Sequence, residues 1–271
     1  MSAVISSAFS GLTLDQITAT LAPLGLEIYG SLQATPLSAE VPAPAAAPDG
    51  ADNTTGTEQG TRQGTSPDAK PGTNPGANPR GAWGTLLLLG TGPAFWAHFK
   101  TSPEYHDSAA DPLDRWSKRV IDELATTWQA EAYYPFTGPP YQPFVAWALA
   151  SGRCFTSPSQ MMVHDRYGMM ISLRGALRFA RPITPHPAAP PLQEAPCLTC
   201  ANQPCLTRCP VDALRDGGPY DVAACRAHLS TPAGAPCLDG GCLARRACPL
   251  SAGAARSAAQ SAHHMRYFLT P

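Results

Sequence analysis

The chain has 271 residues, enough for one large domain or two modest ones. Charged residues are only 14%, against roughly 25% in an average chain, and 23 Gly with 30 Pro mark stretches unsuited to packing. Nineteen basic against twenty acidic residues give a net charge of -1, which excludes the electrostatic footprint of a general nucleic-acid binder.

Leu14, Ile17 and Leu21 lie at helical spacing behind Thr13, a suitable N-cap, and Gly25 then precedes an extended Leu26 to Tyr29. From Pro42 to Ala82 there is no Leu, Ile, Val, Met, Phe, Tyr or Trp, so residues 34–82 are expected to be a disordered low-complexity insertion. Gly84 to Gly90 predicts a buried strand, and the Gly90-Thr91-Gly92-Pro93 turn leads into a short helix with Phe95, Trp96 and Phe99. Leu86 to Leu89 is the longest aliphatic run, far short of the roughly 20 residues that cross a bilayer, so no membrane partner is expected. The opening residues lack the basic start and apolar core of an export signal, and the expected location is cytoplasmic.

Asp111-Pro112 reads as a cap followed by proline at the first helical position, with Leu113, Trp116, Val120, Ile121, Leu124 and Trp128 on one face. Glu131 to Tyr134 predicts a strand, Phe144 to Leu149 a helix, and Met169 to Phe179 a strand pair or hairpin. Helices alternating with strands imply an α/β (α+β) domain built from 1–33 and 83–181, followed by a proline-rich linker at 182–196.

Eight of the nine cysteines lie between Cys197 and Cys248. Cys197, Cys200, Cys205 and Cys209-Pro210 form C-x2-C-x4-C-x3-C-P, close to an iron–sulfur run in which the fourth cysteine turns away to ligate a second cluster. The x4 gap departs from the bacterial x2. Cys225, Cys237, Cys242 and Cys248-Pro249 supply four more thiolates and again end in Cys-Pro. By that crossed logic Cys197, Cys200, Cys205 and Cys248 hold one [4Fe-4S] cluster, and Cys209, Cys225, Cys237 and Cys242 the other, within a small ferredoxin-like domain at 197–271. Two structural zinc sites are the alternative. Seven Arg, no Lys and four Asp from Cys197 onward give local positive charge to offset anionic clusters.

The cysteine order, with Asp221-Val-Ala-Ala-Cys225-Arg-Ala-His-Leu-Ser230 between its halves, resembles the ferredoxin-like domain of epoxyqueuosine reductases. The front half resembles the cobalamin-processing chaperone of the CblC type in Leu21 to Tyr29, Thr85 to Thr91, Val163-His164-Asp165-Arg166-Tyr167-Gly168 and Ser172 to Leu177. These resemblances imply a nitroreductase-like, cobalamin-binding-type α/β scaffold. They also imply single-electron reduction of a bound corrinoid or removal of its upper ligand, and an electron donor of the ferredoxin, flavodoxin or reductase kind. His164, Arg166, Gly168 and Arg174 are the positions they assign to the corrinoid or a thiol co-substrate. Epoxyqueuosine reductases use a pocket Asp as proton donor, whereas Tyr134 to Pro139 here holds no carboxylate. A pure electron carrier, a reductase of an organic substrate and a zinc-stabilised interaction protein stay open as alternatives.

Each non-cysteine candidate has a plainer reading. Arg174 in an apolar stretch needs an anion, and a structural Asp or Glu serves as well as a ligand. His164 binds a metal or simply fills the core, Cys154 is expected to be buried and inert, and His263-His264 is expected at the surface after a small-residue helix from Ala252 to Ala262.

Overall fold

The computed structural model describes residues 11–33, 84–184 and 194–269. The expected insertion, Trp83 and residues 185–193 of the expected linker lie outside the described residues. The front module is α+β, and every strand pair in it is antiparallel.

Helix α1 (Leu14–Leu21) starts with a reciprocal capping box, in which Thr13 and Gln16 each accept the other's backbone N–H. Gly25, at φ +69°, then turns the chain into β1 (Leu26–Gln33). Strand β2 (Thr85–Thr91) is buried along its whole length because both its faces are covered. Leu87 and Leu89 join one core with Ile17, Leu21, Phe95, Trp116 and Ile121, whereas Leu86 and Leu88 join another with Tyr29, Phe144, Trp147 and Ala148. Period-two alternation thus splits one aliphatic run between two cores.

Helices α2 (Phe95–Phe99), α3 (Pro103–His106) and α4 (Pro112–Trp128) follow. The apolar stripe of α4 is buried as its spacing predicts, but Asp111 is not a side-chain cap: it sits at φ 50°, ψ 49° with no capping hydrogen bond. Strand β3 (Glu131–Tyr133) and helix α5 (Phe144–Ala150) precede a two-stranded hairpin, β4 (Cys154–Thr156) with β5 (Met162–His164). The hairpin expected at Met169 to Phe179 is a single strand, β6 (Leu173–Phe179), paired to β2 and β3, so the sheet order is β1-β2-β6-β3. Met169 and Met170 are buried but outside any strand. The expected linker begins inside the fold, since Ile183 is buried and donates its N–H to Thr85 Oγ1.

The second module is a set of short helices: α6 (Pro204–Thr207), α7 (Val222–Leu229), α8 (Ala235–Gly240), α9 (Leu243–Ala247) and α10 (Ala258–Leu269). A helix running through Ala252 to Ala262 is not formed. Pro249–Ala254 is a 3-10 turn and Ala255 at φ +44° breaks the chain before α10. Among the described residues no helix is long and apolar enough to cross a membrane.

Candidate cysteine site and the module junction

The short helices fold the cysteine segment back on itself, so cysteines far apart in sequence become neighbours. Cys205, Cys197 and Cys248 share an apolar shell with Val163, Met169, Met161, Leu206 and Leu250. Cys225, Cys237 and Cys242 share a separate one with Leu229, Met265, Leu238, Leu243 and Phe268. Electrostatic neighbourhoods complete the two sets. Burial, then the negative charges of Cys205, Cys248 and Cys200, raise the pKa of the Cys197 thiol. Burial also raises Cys225, ahead of the charges of Cys242, Cys209 and Cys237. Cys197, Cys205 and Cys248 thus share one shell, with Cys200 bearing on Cys197, and Cys225, Cys237 and Cys242 share another, with Cys209 bearing on Cys225.

Polar groups that the sequence does not reveal lie beside the cysteines. The Ala213 N–H donates to Cys209 Sγ at 3.3 Å, and the Leu243 backbone amide bears on Cys237. Ser159, fully buried between β4 and β5, bears on Cys205 from the front module. Tyr220 bears on Cys225, and its ring stacks on Phe268. Arg245 donates to the Met169 and Ile171 carbonyls, 2.8 and 3.2 Å away, and Cys242 is the strongest negative group acting on it. Among the described residues, no group of three or more His, Cys, Asp or Glu is set to hold a single metal ion.

The residues assigned to a corrinoid sit in different surroundings. His164 is fully buried; its Nε2 donates to the Tyr29 carbonyl at 3.0 Å. Its Nδ1 lies 3.1 Å from the Arg166 amide nitrogen and 3.0 Å from an Asp165 carboxylate oxygen. Both ring nitrogens are thus engaged within the protein, as in a structural histidine. Arg166 points outward, pairs with Glu27 at 3.4 Å and lies over the Tyr167 ring. Gly168 does serve a close backbone approach, but the approaching chain is the protein's own. It has φ +55°, and a Cβ there would stand 2.5 Å from Ser251 N in the turn after Cys248. Gly253 answers from the opposite side, where a Cβ would strike the Arg166 carbonyl. Ser251 Oγ completes the junction by accepting from the Met169 N–H at 3.1 Å and donating to the Arg245 carbonyl at 2.7 Å.

Arg174 meets its anion internally: Nη1 donates to Asp114 Oδ1 at 3.0 Å and Nε to the Leu173 carbonyl. Its side chain is 12% exposed and lines a cavity of about 180 Å³ with Asp114, His263 and His264. His263 and His264 are half-buried, correcting the surface placement expected for the pair. Cys154 is buried, and desolvation pushes its thiol up to about 12.

Comparisons with protein families, with curated proteins and with solved structures find no match. The reading of this site therefore rests on its own chemistry. Ser159, Tyr220, Ser251 and Gly253 carry no motif, and only the folded chain shows them beside the cysteines.

Proposed function

We propose that this protein transfers electrons, with Cys197, Cys200, Cys205 and Cys248 holding one [4Fe-4S] cluster and Cys209, Cys225, Cys237 and Cys242 a second. The grouping of Cys197, Cys205 and Cys248 in one apolar shell and of Cys225, Cys237 and Cys242 in another, with Cys200 and Cys209 bearing on them, supports this reading. Two structural zinc ions are the alternative occupants: a tetrahedral ion makes Zn–S bonds of about 2.3 Å, whereas a cubane spreads its thiolates over four irons.

When bound, such clusters supply one-electron chemistry at a potential tuned by sulfur hydrogen bonds, local charge and burial. The chain's residues provide each of these. The Ala213 amide directs a donor at sulfur, and Ser159 and the Leu243 amide bear on Cys205 and Cys237; Arg245 and Arg246 place positive charge by the second quartet. Val163 and Met169 shield the first quartet from water and join it to the front module.

A corrinoid is not carried forward as the acceptor. His164 and Gly168 are committed to internal contacts. The Arg174 cavity lies below the roughly 300 Å³ at which pockets for drug-sized ligands begin. Anaerobic reconstitution with iron and sulfide, followed by a cobalamin titration, tests both parts. Bound clusters reduced by dithionite, with no spectral change on cobalamin, are expected. Absence of iron would overturn the cluster assignment, and saturable one-to-one cobalamin binding would restore the corrinoid acceptor.

A further inference from the structure

Helix α9 is flanked by cysteines of different groups, with Cys242 at its start and Cys248 at its end. Arg245, between them, reaches out of the cysteine-bearing module. Its Nε donates to the Met169 carbonyl at 2.8 Å and its Nη2 to the Ile171 carbonyl at 3.2 Å. Met169 is gripped at its other side too. Its N–H donates to Ser251 Oγ at 3.1 Å, and that hydroxyl donates to the Arg245 carbonyl at 2.7 Å. Both backbone groups of one front-module residue are thus tied to the helix and turn that follow Cys242. Met169 itself packs in the shell of Cys197, Cys205 and Cys248.

Neutral carbonyls hold the guanidinium in place without cancelling its charge. Cys242 is the strongest negative group acting on it. Arg256, in the break before α10, adds like charge on the same side, and Arg245 is the strongest charge acting on Arg256. Negative charge added at the second quartet is therefore attracted to a cation whose position the front module fixes. Arg246, the next residue, is exposed, and the same charge in open solvent acts far more weakly.

We infer that Arg245 couples reduction of the second cluster to docking of the front module. Its charge, fixed by the Met169 and Ile171 carbonyls, favours the reduced cluster; by reciprocity, the added electron tightens the hold on Met169. The inference rests on the cluster reading above. One electron enters and no proton moves, because a guanidinium keeps its charge. A clamp with no electrical role would hold Met169 equally in both oxidation states and would leave the potentials alone.

Hydrogen exchange and redox titration of the anaerobically reconstituted full chain test the coupling. In the wild-type protein the Met169 amide should exchange severalfold more slowly after dithionite reduction than in the oxidised form. Arg245→Gln should weaken the electron affinity of one cluster about tenfold, a midpoint about 59 mV more negative, and abolish the dependence of Met169 exchange on oxidation state. Arg245→Lys keeps the charge but loses the fork, so it should restore most of the potential while Met169 exchanges faster than in the wild type. Arg246→Gln should shift the same potential by much less. If Arg245→Gln does not hold its clusters, the wild-type exchange comparison and Arg245→Lys still decide. Iron-free wild-type protein would overturn the cluster reading and this inference with it. With iron bound, four results would each overturn the coupling alone: equal Met169 exchange in the two oxidation states, unchanged potentials in Arg245→Gln, a potential in Arg245→Lys as low as in Arg245→Gln, or an equal shift in Arg246→Gln.

Discussion

Replacing Gly168 by Ala separates the contact between modules from ordinary backbone strain. At φ +55° an alanine costs about 1–2 kcal/mol for its left-handed conformation. Its Cβ would also stand 2.5 Å from Ser251 N and 2.8 Å from the Leu250 carbonyl carbon, backbone atoms that move only if the turn after Cys248 moves. Displacing that turn breaks the bond from the Met169 N–H to Ser251 Oγ and leaves a buried donor unpaired, at about 1–3 kcal/mol. The expected loss is therefore about 2–5 kcal/mol. Gly152 provides the control, because it has φ +70° but nothing within 4 Å of a Cβ, so Gly152→Ala costs only the first about 1–2 kcal/mol. Urea unfolding of the two variants should show the larger loss at Gly168. Anaerobic iron analysis should show Gly168→Ala deficient in the cluster that includes Cys248. Equal losses of stability in the two variants, with iron unchanged, would refute the reasoning.

The crossed arrangement makes a distinct forecast for paired substitutions. Cys205→Ala with Cys248→Ala should spare about four irons, whereas Cys205→Ala with Cys237→Ala should lose both clusters; similar iron in the two doubles contradicts the quartets. Tyr220→Phe removes the hydroxyl that bears on Cys225 and should shift one midpoint potential to more negative values in a spectroelectrochemical titration, since a polar hydrogen directed at sulfur stabilises the reduced state; two unchanged potentials argue against that role. Cys154, raised to about 12 by burial, should resist iodoacetamide at pH 8 in the native protein and react after denaturation; rapid native labelling disproves its enclosure. Desolvation acts upward on the Asp165 carboxyl, but hydrogen bonds with His164 and Arg153 outweigh it and hold the group at about 2. A depressed carboxyl contributes stability above its unfolded value near 3.8, lost as pH falls towards 2. Asp165→Asn should then cost about 1 kcal/mol at pH 7, after allowing for partial exposure, and flatten the unfolding curve between pH 4 and 2; an unaltered acid profile would contradict it.

Local signals were legible where one element settles its own environment. The Thr13 N-cap, the buried run Leu86 to Leu89 and the stripe on α4 follow from spacing alone, and each is formed as read, while the Gln16 half of the capping box went unread. The β4–β5 hairpin was not visible, because three-residue strands leave almost no periodicity. Arg174 was legible as a cation needing an anion, but that its partner would be Asp114, sixty positions earlier, depends on how α4 lies against β6. Gly168 was assigned to the corrinoid by resemblance, and nothing in the sequence says that its open side faces the protein's own turn after Cys248. His263 and His264 looked exposed because adjacent helical residues diverge, and the structure encloses both by packing α10 near Trp96 and Phe99. Cysteine spacing predicts interleaved quartets; which residues surround the cysteines is tertiary information.

The most direct test of the central claim is metal and sulfide analysis of the anaerobically reconstituted chain, combined with electron paramagnetic resonance after reduction. About eight irons and matching acid-labile sulfide per chain, with signals from two reduced clusters, are the predicted result. About two zinc ions in a colourless protein, or iron bound without labile sulfide, would contradict it.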